Sequence, residues 1–171
     1  KCVEIPTTID SNFKVTADLL EQYITPKTKL MIFSSPCNPT GSVFSHDELK
    51  AIAAVVKKHP NLFVLCDEIY EHINFTGERH TSLAEFNDIK EQVITVNGFS
   101  KGYAMTGWRI GFVVGNKDVL AGLGKVKSNL DSGVFEAVQA AGITALGLDD
   151  AVPDGIHKIY QERRDTLVPG L

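Results

Sequence analysis

Four short, almost unbroken apolar runs, separated by longer segments of helical period, constrain this chain more than any other feature. The runs are KLMIFSS (29–35), LFVLCDE (62–68), VITVNG (93–98) and IGFVVG (110–115). Runs this short, bounded by polar and turn residues, read as β-strands. Their apolar positions are nearly continuous, which predicts strands buried on both faces. The segment SHDELKAIAAVVKKH (45–59) opens with Ser45 and Glu48 in capping-box spacing. It carries Leu49, Ile52, Ala53 and Val56 on one face, and Pro60 stops it. VTADLLEQYI (15–24) reads as a shorter helix ended before Pro26, and 116–129 and 132–147 as two more. Residues 154–167 read as a charged amphipathic helix with Ile156, Ile159, Tyr160 and Leu167 on one side. Strands alternating with helices predict an α/β fold with a largely parallel sheet. In such sheets ligands sit at the carboxyl ends of the strands.

Composition narrows the class. A chain of 171 residues with 43% hydrophobic and 22% charged residues suits one globular domain with a proper core. A net charge of −4 with no Lys/Arg stripe argues against a nucleic-acid partner. No run reaches the roughly 18 apolar residues of a membrane helix, and no signal peptide precedes the domain. Cys2, Cys37 and Cys66 are odd in number and widely spaced, which fits ordinary thiols in a reducing cytosol. The expectation is therefore a cytoplasmic protein. The chain starts at Lys1 and stops at LVPGL after a charged helix, so we expect a piece of a longer polypeptide.

The strand ends carry the chemistry. After the first run comes Pro36-Cys37-Asn38-Pro39-Thr40-Gly41, a turn that would hold the Asn38 amide in a fixed direction, or simply reverse the chain. The second run delivers Asp67, with Tyr70 just beyond. A carboxylate at the end of so hydrophobic a strand needs a cationic or hydrogen-bonding partner, unless it serves as a helix N-cap for DEIYEHI. The third run leads to Ser100-Lys101 and then Arg109. Lys101 is flanked by Phe99, Tyr103, Ala104 and Met105, whereas most of the other lysines sit on polar faces or in loops. An amine in apolar surroundings is a good nucleophile toward carbonyls. Arg109, one of four arginines, lies between Trp108 and Ile110 and wants a fixed anion; phosphate matches its fork, and a structural ion pair would serve equally.

Amine, acid, amide, phenol and guanidinium together match one cofactor, pyridoxal 5′-phosphate. A lysine captures its aldehyde, a carboxylate keeps its ring nitrogen protonated, and a cationic seat holds its phosphate. Other signals are weaker. AGLGKVKS (121–128) lacks the first glycine of a phosphate loop and lies within a helical pattern. NFT (74–76) fits a glycosylation triplet, which is idle in the cytosol. The five histidines show no metal spacing and read as surface residues or caps.

SSPCNPTG, VLCDEIY and NGFSKGYAMTGWRIGF, in that order, resemble the three strongest motifs of the class I/II aminotransferases, pyridoxal-phosphate enzymes of fold type I. The resemblance covers essentially the whole chain and implies a three-layer sandwich around a mixed, mostly parallel sheet, with 110–115 as its antiparallel strand. Residues 1–153 would be part of the large, cofactor-binding domain, and 154–171 would begin the helix leading to a small C-terminal domain. Lys101 would be the Schiff-base lysine and proton shuttle, and Asp67 the partner of the pyridinium nitrogen. Tyr70 would bond the cofactor's 3-oxygen, and Asn38 that oxygen and the substrate carboxylate. Arg109, and more weakly Ser100, would bind the phosphate. Many relatives place a phosphate-binding Ser three residues before the lysine, where this chain has Gly98. The implied activity is amino transfer between an amino acid and a 2-oxo acid in a homodimer. Residues 1–115 look most like the aspartate aminotransferase branch, and 127–143 more like LL-diaminopimelate aminotransferase. A lyase or synthase of the same fold, or a regulator domain that reuses it, would share the constellation.

Overall fold

The computed structural model describes residues 1–171. The four apolar runs form β1 (Leu30–Ser34), β2 (Phe63–Asp67), β3 (Val93–Gly98) and β4 (Gly111–Gly115), in one sheet of order β1-β2-β3-β4. The first three strands are parallel and β4 runs antiparallel to β3, so the sheet is mixed as expected. Five helices accompany it: α1 (Ala17–Tyr23), α2 (His46–Lys57), α3 (Lys117–Ser128), α4 (Glu136–Leu146) and α5 (Ala151–Leu167).

Polar side chains set where the first three helices begin. Thr16 Oγ1 accepts from Leu19 N at 3.2 Å, and Asn116 Oδ1 accepts from Asp118 N and Val119 N. Ser45 and Glu48 form the anticipated capping box, each side chain taking the other's backbone N–H. Such a cap stabilises a helix by about 1 kcal/mol. Two boundaries differ from the sequence reading. Residues 132–135 are not helical, because Asp131 Oδ1 accepts from Gly133 N at 2.8 Å and Gly133 is left-handed at φ 101°, a local turn that competes with the helix. Conversely, α5 starts at Ala151, with Pro153 in its first turn, where a missing N–H costs nothing. The boundary drawn at 153/154 therefore falls within a continuous helix.

The core lies between the sheet and the pair α1/α2. Leu49, Ile52, Ala53 and Val56 of α2 pack with Leu20 of α1 and with Val64, Cys66 and Val93 of the sheet; Met31 and Phe33 join from β1. Strand side chains alternate between faces, and the register places Ile32 beside Leu65 beside Ile94, and Ser34 beside Asp67 beside Val96, on the opposite face. Burial on both faces holds at β3, where Ile94 is 6% exposed, and fails at β1, where Ile32 is 67% exposed. Helix α4 reaches only the β3–β4 end: a side chain on Gly142 would meet Phe99 and Ile110. The expected apolar side of α5 is likewise largely open at Ile159, Tyr160 and Leu167. This helix docks through the adjoining flank that carries Pro153, His157 and Arg164. His157 stacks on Phe75 and lies 3.1 Å from Asn74 O, and Arg164 sits over the Phe75 ring. No helix is long and apolar enough to cross a membrane, and the three cysteines are free.

Candidate active site

The carboxyl ends of β1, β2 and β3 carry the predicted residues, and hydrogen bonds between strands hold them in place. Ser35 N donates to Asp67 O at 3.2 Å, and the Ser34 hydroxyl lies 3.1 Å from the same carbonyl. Glu68 N donates to Val96 O at 2.9 Å. The backbone of Asp67 is thereby fixed from one neighbouring strand and that of Glu68 from the other. On the β1 side, Gly41 N donates to Cys37 O and Cys37 N to Ser42 O, closing the loop around Asn38. Gly41 sits at φ 71°, a conformation that favours glycine. Both Ser35-Pro36 and Asn38-Pro39 are cis.

Three of the predicted side chains meet directly. Asn38 Nδ2 donates to Tyr70 Oη at 3.1 Å, so the turn does aim the amide. Lys101 Nζ lies 5.4 Å from the centroid of the Tyr70 ring, over its face, where the ring quadrupole attracts a cation. Asp67 belongs to the same strand end, half-buried on the sheet face away from α1 and α2. Its Oδ1 accepts from Ile69 N at 3.1 Å, the only protein donor on this carboxylate. No helix begins directly after β2, where residues 69–72 form a turn, so Asp67 caps a local turn and not a helix. No cation of this chain pairs with it, which leaves its other oxygen free for an external donor.

Lys101 follows β3 in a tight turn. Ala104 N donates to Lys101 O at 3.3 Å and Met105 N to Phe99 O at 3.1 Å, while Thr106 Oγ1 donates to Ser100 O at 2.7 Å. Ser100 thus contributes its carbonyl to the turn. Ala104 and Arg109 are both left-handed at φ 53°, a backbone conformation that non-glycine residues hold at a cost and that clusters at functional sites. Arg109 is exposed, and its Nη1 donates to Thr106 O at 2.9 Å. The structure brings Asn38, Tyr70 and Lys101 together beside Asp67; it does not bring Arg109 into contact with any of them.

Several residues that sequence reasoning passed over support the site. Glu68 is buried, with its side chain 6% exposed. Its Oε1 accepts from Ser82 Oγ at 2.8 Å and its Oε2 lies 3.2 Å from His80 Nε2. His80 is therefore not a surface residue, contrary to the expectation for the histidines. His59 bonds Glu21, and His72 lies beside Glu71 and Tyr103. No periodicity links position 68 to positions 80 and 82, so only folding reveals the cluster. The discounted AGLGKVKS stretch lies wholly inside α3. Burial, with the Glu68 charge adding to it, pushes the Cys66 thiol far up, which makes it a core residue and not a nucleophile. Burial, with Glu71 and Asp150 adding to it, also raises the Tyr103 phenol.

The donor set fits pyridoxal phosphate: a primary amine, a carboxylate with one open oxygen, a phenol bonded to an amide, and a guanidinium with only one nitrogen engaged.

Known proteins resemble this chain in sequence and in fold. The family model for aminotransferase class I and II matches residues 1–171. The chain is 44% identical over 169 residues to a bifunctional aspartate aminotransferase and glutamate/aspartate-prephenate aminotransferase of Petunia hybrida, covering 97% of this chain and 35% of that protein. It is 49% identical over 139 residues to a probable aspartate/prephenate aminotransferase of Rickettsia bellii, covering 81% and 35%. Among solved structures, the aspartate aminotransferase from Rhizobium meliloti superposes with a TM-score of 0.92 at 36% identity, over 96% of this chain and 42% of that one. The Thermus thermophilus aspartate aminotransferase with maleate gives 0.90 at 33% identity, over 99% and 44%. The chain thus spans 35% to 44% of the length of these proteins. A family model matched from end to end, and a fold shared with solved members, establish that this chain belongs to the class I and II aminotransferases.

Proposed function

We propose that these residues form the coenzyme-holding centre of a pyridoxal-phosphate-dependent aminotransferase that moves an amino group between an amino acid and a 2-oxo acid. The observation that carries this reading is the placement of Lys101 Nζ over the Tyr70 ring, whose hydroxyl is bonded by Asn38, at the carboxyl ends of parallel strands next to Asp67. Pyridoxal phosphate, when bound, supplies a carbonyl carbon for amines and a ring that accepts electrons. Lys101 would hold it covalently and, once displaced by the donor amino acid, move the proton at the substrate Cα. The open oxygen of Asp67 would keep a proton on the ring nitrogen. Tyr70 Oη and Asn38 Nδ2 would bond the ring oxygen, and Asn38 also the substrate carboxylate. The remaining nitrogens of Arg109, with Ser100 as a weaker partner, would take the phosphate.

We infer an acidic amino donor, aspartate first, because aspartate is the substrate in the names of the Petunia, Rhizobium and Thermus proteins. No arginine lies between Arg109 and Arg163, so a group reading a second carboxylate would come from outside that stretch. The reading extends to a cytosolic homodimer, in which the residues before α5 belong to the coenzyme domain and α5 leads toward a second domain.

Borohydride reduction of the complete, coenzyme-loaded gene product, followed by peptide mapping, tests the central assignment. The coenzyme should be trapped on Lys101, and Lys101→Ala should lose both the trapped label and turnover. A label on any other residue refutes the reading. Aspartate should yield oxaloacetate in proportion to the 2-oxo acid consumed, whereas ammonia release would indicate a lyase.

A further inference from the structure

One carboxylate ties the end of β3 to the segment after β2 and has no role in the site as described. Glu71 Oε1 accepts from Asn97 Nδ2 at 2.8 Å and lies 3.5 Å from His72 Nε2. Asn97 is the penultimate residue of β3 and only 7% exposed. Its amide N–H has little water to turn to, and Glu71 is its one side-chain partner. His72 carries the contact onward. Its ring stands edge-on to Tyr103, with centroids 5.5 Å apart. A Cβ on Gly102 would lie 2.4 Å from His72 Cδ2, so the imidazole rests against the backbone of the residue after Lys101.

The Lys101 turn is closed by two ordinary bonds, Met105 N to Phe99 O at 3.1 Å and Thr106 Oγ1 to Ser100 O at 2.7 Å, and by two weaker ones. Its bonds from Ala104 N to Lys101 O and from Phe99 N to Ile110 O are long, at 3.3 and 3.5 Å. Ala104 is left-handed, a conformation that L-residues adopt at a cost. Contacts from outside add to what these bonds supply. The Asn97–Glu71–His72 bracket reaches from the strand that precedes Lys101 to the residues that follow it.

We propose that Glu71 is a positioning residue for Lys101. Through Asn97 and His72 it clamps the turn so that the amine stays over Tyr70. The proposal rests on the role of Lys101 given above. Its test uses the complete gene product freed of coenzyme. Wild type, Glu71→Ala and Glu71→Gln are acetylated briefly, and Lys101 is compared with exposed Lys50 in the same digest. The Lys101:Lys50 ratio should rise at least about threefold in Glu71→Ala as the turn opens. It should stay within about 1.5-fold of wild type in Glu71→Gln, which keeps an oxygen for Asn97. Reloaded with coenzyme, Glu71→Ala should lose about tenfold in kcat with KM for aspartate within about twofold. An unchanged ratio in Glu71→Ala, or an equal rise in both variants, overturns the bracket. If Glu71→Ala does not fold, His72→Ala leaves Asn97 paired and carries the same threefold expectation. Borohydride trapping on wild type judges the Lys101 assignment separately, because the acetylation ratio is measured without coenzyme.

Discussion

Replacing Glu68 by Ala removes the acceptor that holds Ser82 and His80 against the end of β2. The two bonds, at 2.8 and 3.2 Å, reach a carboxylate whose side chain is 6% exposed, so solvent screens them little. Hydrogen bonds to a charged group contribute about 1.5–3 kcal/mol each, and the deletion also relieves the desolvation of the carboxylate. A Glu71 carboxylate oxygen lies within 4.8 Å of a His80 ring nitrogen, so a small side-chain movement gives His80 a second acceptor. Both offsets bring the expected loss to about 2–4 kcal/mol, confined to the segment that the cluster pins. Native-state hydrogen exchange reads this locally. The reporters are Glu71 N, bonded to Glu68 O at 2.9 Å, and Ile73 N, bonded to Tyr70 O at 2.7 Å. Their protection should fall about 30- to 1,000-fold in Glu68→Ala, since each 1.4 kcal/mol is tenfold. Glu68→Gln keeps one oxygen and should lose roughly 5- to 30-fold. Protection within about threefold of wild type in Glu68→Ala would refute the claim that this buried carboxylate fixes the segment carrying Tyr70.

Two further outcomes follow from the packing and the charges. Gly111→Ala would place a Cβ 2.9 Å from Asn97 O, a backbone atom that cannot swing aside, and should destabilise the protein by about 1–3 kcal/mol; an unchanged urea midpoint would show that β4 can shift away from β3. Burial raises the Glu48 carboxyl, but the bonds from Lys14 and from Ser45 N–H outweigh it and hold the group below its ordinary value of 4.5. A depressed folded value contributes stability that is present above the unfolded pKa and is lost as pH falls through the folded one. Glu48→Gln should therefore lose less stability than wild type between about pH 5 and about pH 3, measured as urea midpoints; parallel losses would remove Glu48 from the acid response.

The sequence alone determined the elements and their order. Apolar runs bounded by turn residues, the Ser45/Glu48 spacing and Pro60 are local signals, and local backbone preferences decide strands and helix starts. It also determined which residues stand at strand ends, because a strand's last residue is set by where its apolar run stops. That was enough to nominate Asn38, Asp67, Tyr70, Lys101 and Arg109. Tertiary structure decided which of these touch. The Asn38–Tyr70 bond spans 32 residues and the Lys101–Tyr70 contact 31, and no periodicity encodes such separations. Nor could a pattern show that Ile32 lies open while Ile94 is covered: both sit in equally apolar runs, and burial depends on what packs over the strand. The supporting carboxylates were invisible for the same reason. Glu68 and Glu71 read as ordinary charged residues of a loop until folding brings Ser82, His80 and Asn97 to them, and a buried carboxylate acquires its function only from the donors that surround it.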